Sequence, residues 1–275
     1  MDLMSAYDSS LEKIFTRAAL LSSSKKKLFL SFLTLFASHL LGVVFFAIAE
    51  KGSFWAKMEL SLLPYFVFLS FLYPLSILLI RIHHHEARKK ELSLAHLYES
   101  CKELLPLVFY LSLLPLAVYL IIWLLSSFVF LLQQVPFVGI FFTLFCSWIV
   151  FFLWLVALSF LFVKAFFLFL SAPLIALQKA GWKRSIALIF SWIQEMPLRL
   201  FFYFGIGIFP FLLAFFLLRK AFFLTEIGFF SEGAFVIQYL FYSILSSAFL
   251  SPFLNFFSSF SAEAVQLFLR TEEGK

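Results

Sequence analysis

Residues 135–177 carry a single charge, Lys164, in a run too long for the core of a soluble domain of this size. About 20 apolar residues cross a hydrocarbon layer of ~30 Å, so this run holds one full span and a further apolar piece. Comparable stretches recur along the chain. Such a chain folds as a polytopic membrane protein, with helices that satisfy their own backbone groups.

Composition agrees. The 275 residues are 63% hydrophobic and 13% charged, with a mean hydropathy of +1.03. Ordinary soluble domains are about 25% charged, so roughly half the usual charge is missing. No polar stretch is long enough for a separate soluble enzyme domain. The 44 phenylalanines could form aromatic surfaces for lipid or ligand, or simply stand where other chains use leucine, since both are favourable at a helix centre. Cys101 and Cys146 fall in a loop and a span, which argues against a disulfide, and nothing suggests a metal framework. Residues 1–27 lack the continuous apolar core of a cleavable signal peptide.

Six spans are expected, at 28–49, 60–80, 104–126, 140–163, 200–218 and 234–257, each close to the length of a slightly tilted helix. With both termini cytoplasmic, 17 of the 21 Lys and Arg residues lie inside. Only Lys51, Lys57, Arg219 and Lys220 lie outside, a strong positive-inside asymmetry. The chain divides into an amphipathic cytoplasmic segment (1–27), a six-helix membrane domain (28–260) and a cytoplasmic tail (261–275).

Three stretches have apolar residues at helical spacing with a polar opposite face. They are Tyr7, Leu11, Ile14, Phe15, Ala18 and Leu21; then Leu94, Leu97, Tyr98, Cys101 and Leu105; then Trp182, Ile186, Ile189, Phe190 and Ile193, ending before Pro197. Each reads as an interfacial helix preceding a hairpin of spans. The expected class is thus an all-α polytopic membrane protein, about six transmembrane helices as three hairpins, with cytoplasmic interfacial helices. The threefold arrangement fits internal duplication or merely repeated interfacial anchoring. After the fourth span, Pro173 is expected to break the helix, leaving 165–177 as a shallow re-entrant or interfacial segment.

Residues 172–192 read APLIALQKAGWKRSIALIFSW. This stretch resembles the six-helix membrane domain of some bacterial glycerophosphoryl diester phosphodiesterases and of stand-alone membrane proteins. Ala172 and Pro173 match an Ala-Pro turn; Ala187, Leu188, Ser191 and Trp192 match the following helix. Gln178 stands where that family commonly has an acid, and Phe190 where a basic residue usually precedes the serine. The resemblance implies a fold in a bacterial inner membrane rather than a reaction, because the phosphodiesterase chemistry belongs to a separate soluble domain.

The spans offer little chemistry. His83, His84 and His85 with Glu86 form the one ligand-rich cluster, yet consecutive helical positions diverge by about 100°, whereas a helical zinc pair uses i, i+4 spacing. A polar cap at the end of the second span is the simpler reading. His39, mid-span, is a candidate ligand or proton site, or else a neutral histidine packed between helices, with Ser38 or the backbone supplying part of its hydrogen bonding. Asn255 joins it as a candidate intramembrane polar residue; it and Gln238 read as interhelical hydrogen-bonding groups. Gly205 and Gly207 should permit close helix approach, with Pro210 kinking the helix between them and the span's end. Every Asp and Glu is expected in a tail, loop or span end, which argues against an acid-based proton pump. No nucleophile elbow, zinc-protease pair or phosphate-binding loop occurs.

The reading is therefore a non-catalytic multi-pass inner-membrane protein without catalytic, metal or cofactor residues. It would bind or organise lipid, or a membrane-protein partner, through a basic cytoplasmic face. Candidate anionic-lipid contacts are Lys25, Lys26, Lys27, Arg88, Lys89, Lys90, Lys183 and Arg184. Nucleic acid is a poor partner for charges so dispersed along the spans' ends. The alternative is a small transporter for a lipid-like or apolar substrate, with a path near His39 and Pro173.

Overall fold

In the computed structural model, residues 2–50, 54–88, 94–133, 138–178, 182–229 and 235–273 are described, and all but 23, 24, 88 and 196 are helical. The helices are α1 (Asp2–Ser22), α2 (Lys25–Glu50), α3 (Phe54–Ala87), α4 (Leu94–Gln133), α5 (Val138–Gln178), α6 (Trp182–Glu195), α7 (Pro197–Phe229) and α8 (Phe235–Glu273). Six contain apolar stretches long enough to cross a membrane: Lys25–Phe45, Leu63–Ala87, Leu113–Leu132, Trp148–Leu177, Pro197–Leu224 and Tyr239–Arg270. The protein is an all-α, polytopic membrane protein. Packing of α2 on α3, α4 on α5 and α7 on α8 gives the three hairpins.

The short helices are set by local chemistry. Ser22 and Ser23 turn their hydroxyls back onto the carbonyls of Ala19 (2.7 Å) and Leu20 (3.1 Å), satisfying orphan acceptors at the end of α1. Ser24 then caps α2, its carbonyl accepting the Leu28 N–H at 2.9 Å. Pro197 occupies the first position of α7, where its missing N–H costs nothing, and Met196 before it lies outside the helices.

Two spans form the interior. Of their most apolar windows, 56% of α3 and 50% of α8 are buried, against 11% of α2. α8 touches α1, α2, α3, α5 and α7, and every residue from 254 to 265 is buried. A helix enclosed on all sides needs small residues that let neighbours approach, and α8 supplies Ser246, Ser247, Ser251, Ser258, Ser259, Ser261, Ala262 and Ala264. Ser246, Ser247, Ser251 and Ser261 are bonded back to their own helix's carbonyls.

α1 packs on the C-terminal half of α8, which sets both at one end of the bundle, here the terminal end. This terminal end contains the principal core, including Ile80, Phe169, Leu174, Trp192, Tyr203, Phe260 and Phe268. The division expected at residue 260 falls inside α8, which runs unbroken to Glu273 with Ala262, Ala264, Val265 and Phe268 buried. Nor does Pro173 end a helix: α5 continues through it to Gln178. Its lost hydrogen bond is outweighed because Leu168, Phe169, Leu170, Ala172, Leu174 and Ile175 are packed into the core. At 41 residues, α5 is about 60 Å long, roughly twice a hydrocarbon layer.

α1 and α6 are amphipathic helices as expected. Their apolar faces are covered in part by protein: Ile14 and Ala18 of α1 are buried, as are Ile189 and Trp192 of α6, the latter edge-on to Phe268 at 5.7 Å. The third amphipathic stretch is the start of α4, continuous with its span; its side chains lie outside the described residues, as do those of Cys101, Cys146 and Gln238.

Candidate functional site

The terminal end gathers ionisable groups from distant parts of the chain. Glu263 of α8 accepts His83 Nε2 of α3 at 2.8 Å and pairs with Arg17 Nε of α1 at 3.3 Å. Glu86, one turn beyond His83, pairs with Lys27 Nζ of α2 at 3.0 Å and accepts the Ser24 hydroxyl. These contacts tie α1, α2, α3 and α8 together. Lys27 and His83 are almost wholly buried, at 0% and 1% exposure, so each requires its carboxylate partner to offset the loss of water.

Two expectations are corrected here. Glu263 lies within the apolar stretch of α8 rather than in a tail, a placement that Arg17 and His83 make tolerable, whereas Glu86 lies at the end of the α3 stretch as expected. Lys27, expected to face lipid headgroups, is enclosed by the bundle. The other candidate lipid contacts that are described, Lys25, Lys26, Arg88 and Arg184, are exposed. Lys89 and Lys90 lie outside the described residues, and the Lys183 side chain is not described. His83, His84 and His85 do not converge: His83 is bonded to Glu263, while the other two are only partly buried. No group of His, Cys, Asp and Glu among the described residues could hold a metal ion.

The pairing leaves an uneven surface. Among the residues of this end whose side chains are described, Lys13, Arg17, Lys25, Lys26, Arg88, Arg184 and Arg270 are exposed, against Glu12 and Glu195. A groove of about 690 Å³ crosses it between α1 and the end of α3, lined by Glu12, Lys13, Thr16, Arg17, Leu20, Leu21, Glu86 and Ala87.

Deeper in the bundle, α2 and α8 are joined by two polar rungs. Ser31 donates to Asn255 Oδ1, and Asn255 Nδ2 donates to the Ser22 carbonyl at 3.1 Å. His39 Nδ1 meets the Ser247 hydroxyl at 3.0 Å. Each rung lies eight residues from the other on both antiparallel helices, about 12 Å along the axis. The partner of His39 thus comes from α8, whereas Ser38 bonds to the Thr34 carbonyl. His39 and Asn255 occupy separate rungs rather than one site.

Lys164 is a further difference. Counted with the cytoplasmic loops by sequence, it lies within the α5 span at 8% exposure, its amine 5.5 Å over the Tyr73 ring. Tyr73 donates to Ser171 Oγ at 2.8 Å, which in turn donates to the Phe167 carbonyl at 2.6 Å. An aromatic face and the aliphatic stem accommodate this amine, so its charge says little about which side of the membrane it marks.

The glycines also divide. A Cβ on Gly207 would come within 3.0 Å of Phe260 and 3.1 Å of Phe169, so its lack of side chain permits that close approach. Gly205 faces open space. It lies in an apolar groove of about 820 Å³ on the outer flank of α7 and α8, which Phe15 closes at the terminal end. Of the residues resembling the family motif, Ala172, Pro173 and Trp192 are buried, Leu188 and Ser191 are partly so, and Ala187 is exposed. Ser191 donates to the Leu188 carbonyl at 3.0 Å.

Six spans, with α8 buried among the others, define a helical multi-pass membrane protein. Comparison with known protein families, curated proteins and solved structures finds no match to this chain.

Proposed function

We propose that this chain is a non-catalytic inner-membrane protein that binds anionic lipid through the basic terminal end, with both termini in the cytoplasm. One observation carries the reading: Glu263 is enclosed beside His83 and paired with Arg17, and Glu86 is paired with Lys27, while most of the described exposed charges around them are cations. The field presented to the membrane surface is therefore positive. Each well-placed cation attracts an anionic leaflet by about 1 kcal/mol. Placing that end in the cytoplasm follows the distribution of Lys and Arg along the chain. The resemblance in residues 172–192 to the six-helix membrane domain belongs to this proposal and is compatible with a binding role.

The test is mass spectrometry of lipid retained by the full chain from micelles containing equal phosphatidylglycerol and phosphatidylcholine. The wild-type chain should enrich phosphatidylglycerol several-fold. The variant Lys25→Gln/Lys26→Gln/Arg88→Gln/Arg184→Gln should lose most of that enrichment. Retained lipid matching the bulk mixture in the wild-type chain would end the proposal. Orientation has its own check: an impermeant thiol reagent outside intact cells should leave Cys101 unlabelled.

A further inference from the structure

The contacts of Glu263 join a buried histidine to an exposed arginine through a single atom. His83 Nε2 and Arg17 Nε both reach Oε1 of the carboxylate, at 2.8 Å and 3.3 Å. Their access to water differs widely: the His83 side chain is 1% exposed and that of Glu263 9%, against 50% for Arg17. Arg17 also lines the groove of about 690 Å³, with Lys13 one turn back along α1. Other charges reach the carboxylate through space, from Arg270 on its own helix and from His84 on α3. His85 and Arg88 lie beyond His84, and Lys27 of α2 is balanced by Glu86.

We infer that proton uptake by the His83–Glu263 pair releases Arg17 into the groove beside Lys13, so that acidification strengthens the hold of this end on anionic lipid. The inference rests on the lipid-binding reading and adds its regulation. With one proton, on His83 Nε2, the pair carries a single negative charge, which Arg17 balances. A second proton makes the pair neutral whichever residue takes it, because two groups this close titrate as a unit. His83 is enclosed and stays in place. Arg17 is already half in water, so its contact with Glu263 is worth little once the carboxylate's charge is met. A proton on His83 also makes the imidazolium a charged rival for the same Oε1, from the shorter distance. The freed guanidinium adds a second cation to the groove edge that Lys13 occupies. One such cation is worth about fivefold in attraction to an anionic leaflet.

The test uses the full chain with His84→Gln, His85→Gln and His96→Gln, which leaves His39 and His83 as its histidines. It is compared in mixed phosphatidylglycerol and phosphatidylcholine micelles at about pH 8 and about pH 5.5, an interval that spans ordinary histidine titration. Carbon-detected NMR of the Arg17 guanidinium, assigned by its loss in Arg17→Gln, should show a carboxylate-bonded group at the higher pH and a free one at the lower. Retained phosphatidylglycerol should rise about fivefold over the same interval. In Glu263→Gln the guanidinium should be free and enrichment high at both pH values; in Arg17→Gln enrichment should be low at both. An Arg17 signal unchanged at the lower pH would overturn the inference, and it is read with Glu263 in place, so it does not depend on how that variant folds. The same pH response in Glu263→Gln as in its parent would overturn it too. Phosphatidylglycerol enrichment with an unchanged Arg17 signal would leave the proposed function standing without this control. Release of Arg17 with no enrichment at either pH would refute the lipid-binding reading instead.

Discussion

Removing the carboxylate of Glu263 tests the reasoning about the terminal end most directly, because its two partners differ in exposure. The Arg17 side chain is 50% exposed. Water takes its charge when Glu263 is lost, so that contact is worth about 0–1 kcal/mol. His83 is 1% exposed, and an imidazole N–H left there without an acceptor costs about 1–3 kcal/mol. Glu263→Leu should therefore destabilise the fold by about 2–3 kcal/mol. Glu263→Gln keeps an oxygen for His83 and should cost about 1 kcal/mol, as should Arg17→Gln at most. The largest loss is expected for His83→Leu, which leaves a carboxylate at 9% exposure facing a half-hydrated arginine; breaking a buried pair this way costs about 3–5 kcal/mol. Combining Glu263→Leu with His83→Leu removes both members, so the double variant should be more stable than His83→Leu alone. Equilibrium unfolding by a denaturing detergent in mixed micelles, read by tryptophan fluorescence with the buried Trp192 as a reporter, would measure the series. If His83→Leu and Arg17→Gln agreed within about 0.5 kcal/mol, burial would not be what makes this network matter.

Three further outcomes follow from the helix seams. Asn255→Leu removes the bonds to Ser31 and the Ser22 carbonyl; it should cost about 1–2 kcal/mol and speed proteolysis at the α1–α2 turn. His39→Leu loses one bond to Ser247, so a cost near 0.6 kcal/mol is expected in the same unfolding assay; a loss above about 2 kcal/mol would point to more than a single interhelical bond. Gly207→Val should destabilise by about 1–3 kcal/mol, because Phe260 and Phe169 cannot both retreat. Gly205→Val should leave the melting temperature unchanged; equal effects at the two glycines would refute the assignment of Gly207 alone to helix contact.

The spans, the short helix before Pro197 and the even crossing number were legible because each depends on local composition and length. The basic excess near the spans' ends was legible too, and Lys25, Lys26, Arg88 and Arg184 are indeed exposed. Glu263 was misplaced because a charge so near the C-terminus reads as a tail residue. A signal was nevertheless present: from Phe235 to Glu273 the only charges before residue 270 are Glu263 itself, and serines recur throughout that stretch, as an enclosed helix requires. Pro173 misled for the converse reason, since a breaker rule says nothing about the packing that holds α5 together on either side.

Chain order alone established six apolar helices and a basic end, since hydropathy and crossing length are properties of consecutive residues. Only packing decided which helix lies at the centre and which cation is enclosed rather than wetted. His83 and Glu263 are 180 positions apart, and Lys27 finds Glu86 only because α2 and α3 are antiparallel neighbours. Burial is shared among helices, so no single stretch of sequence contains it; the cost of an unpaired charge then dictates which partners must meet.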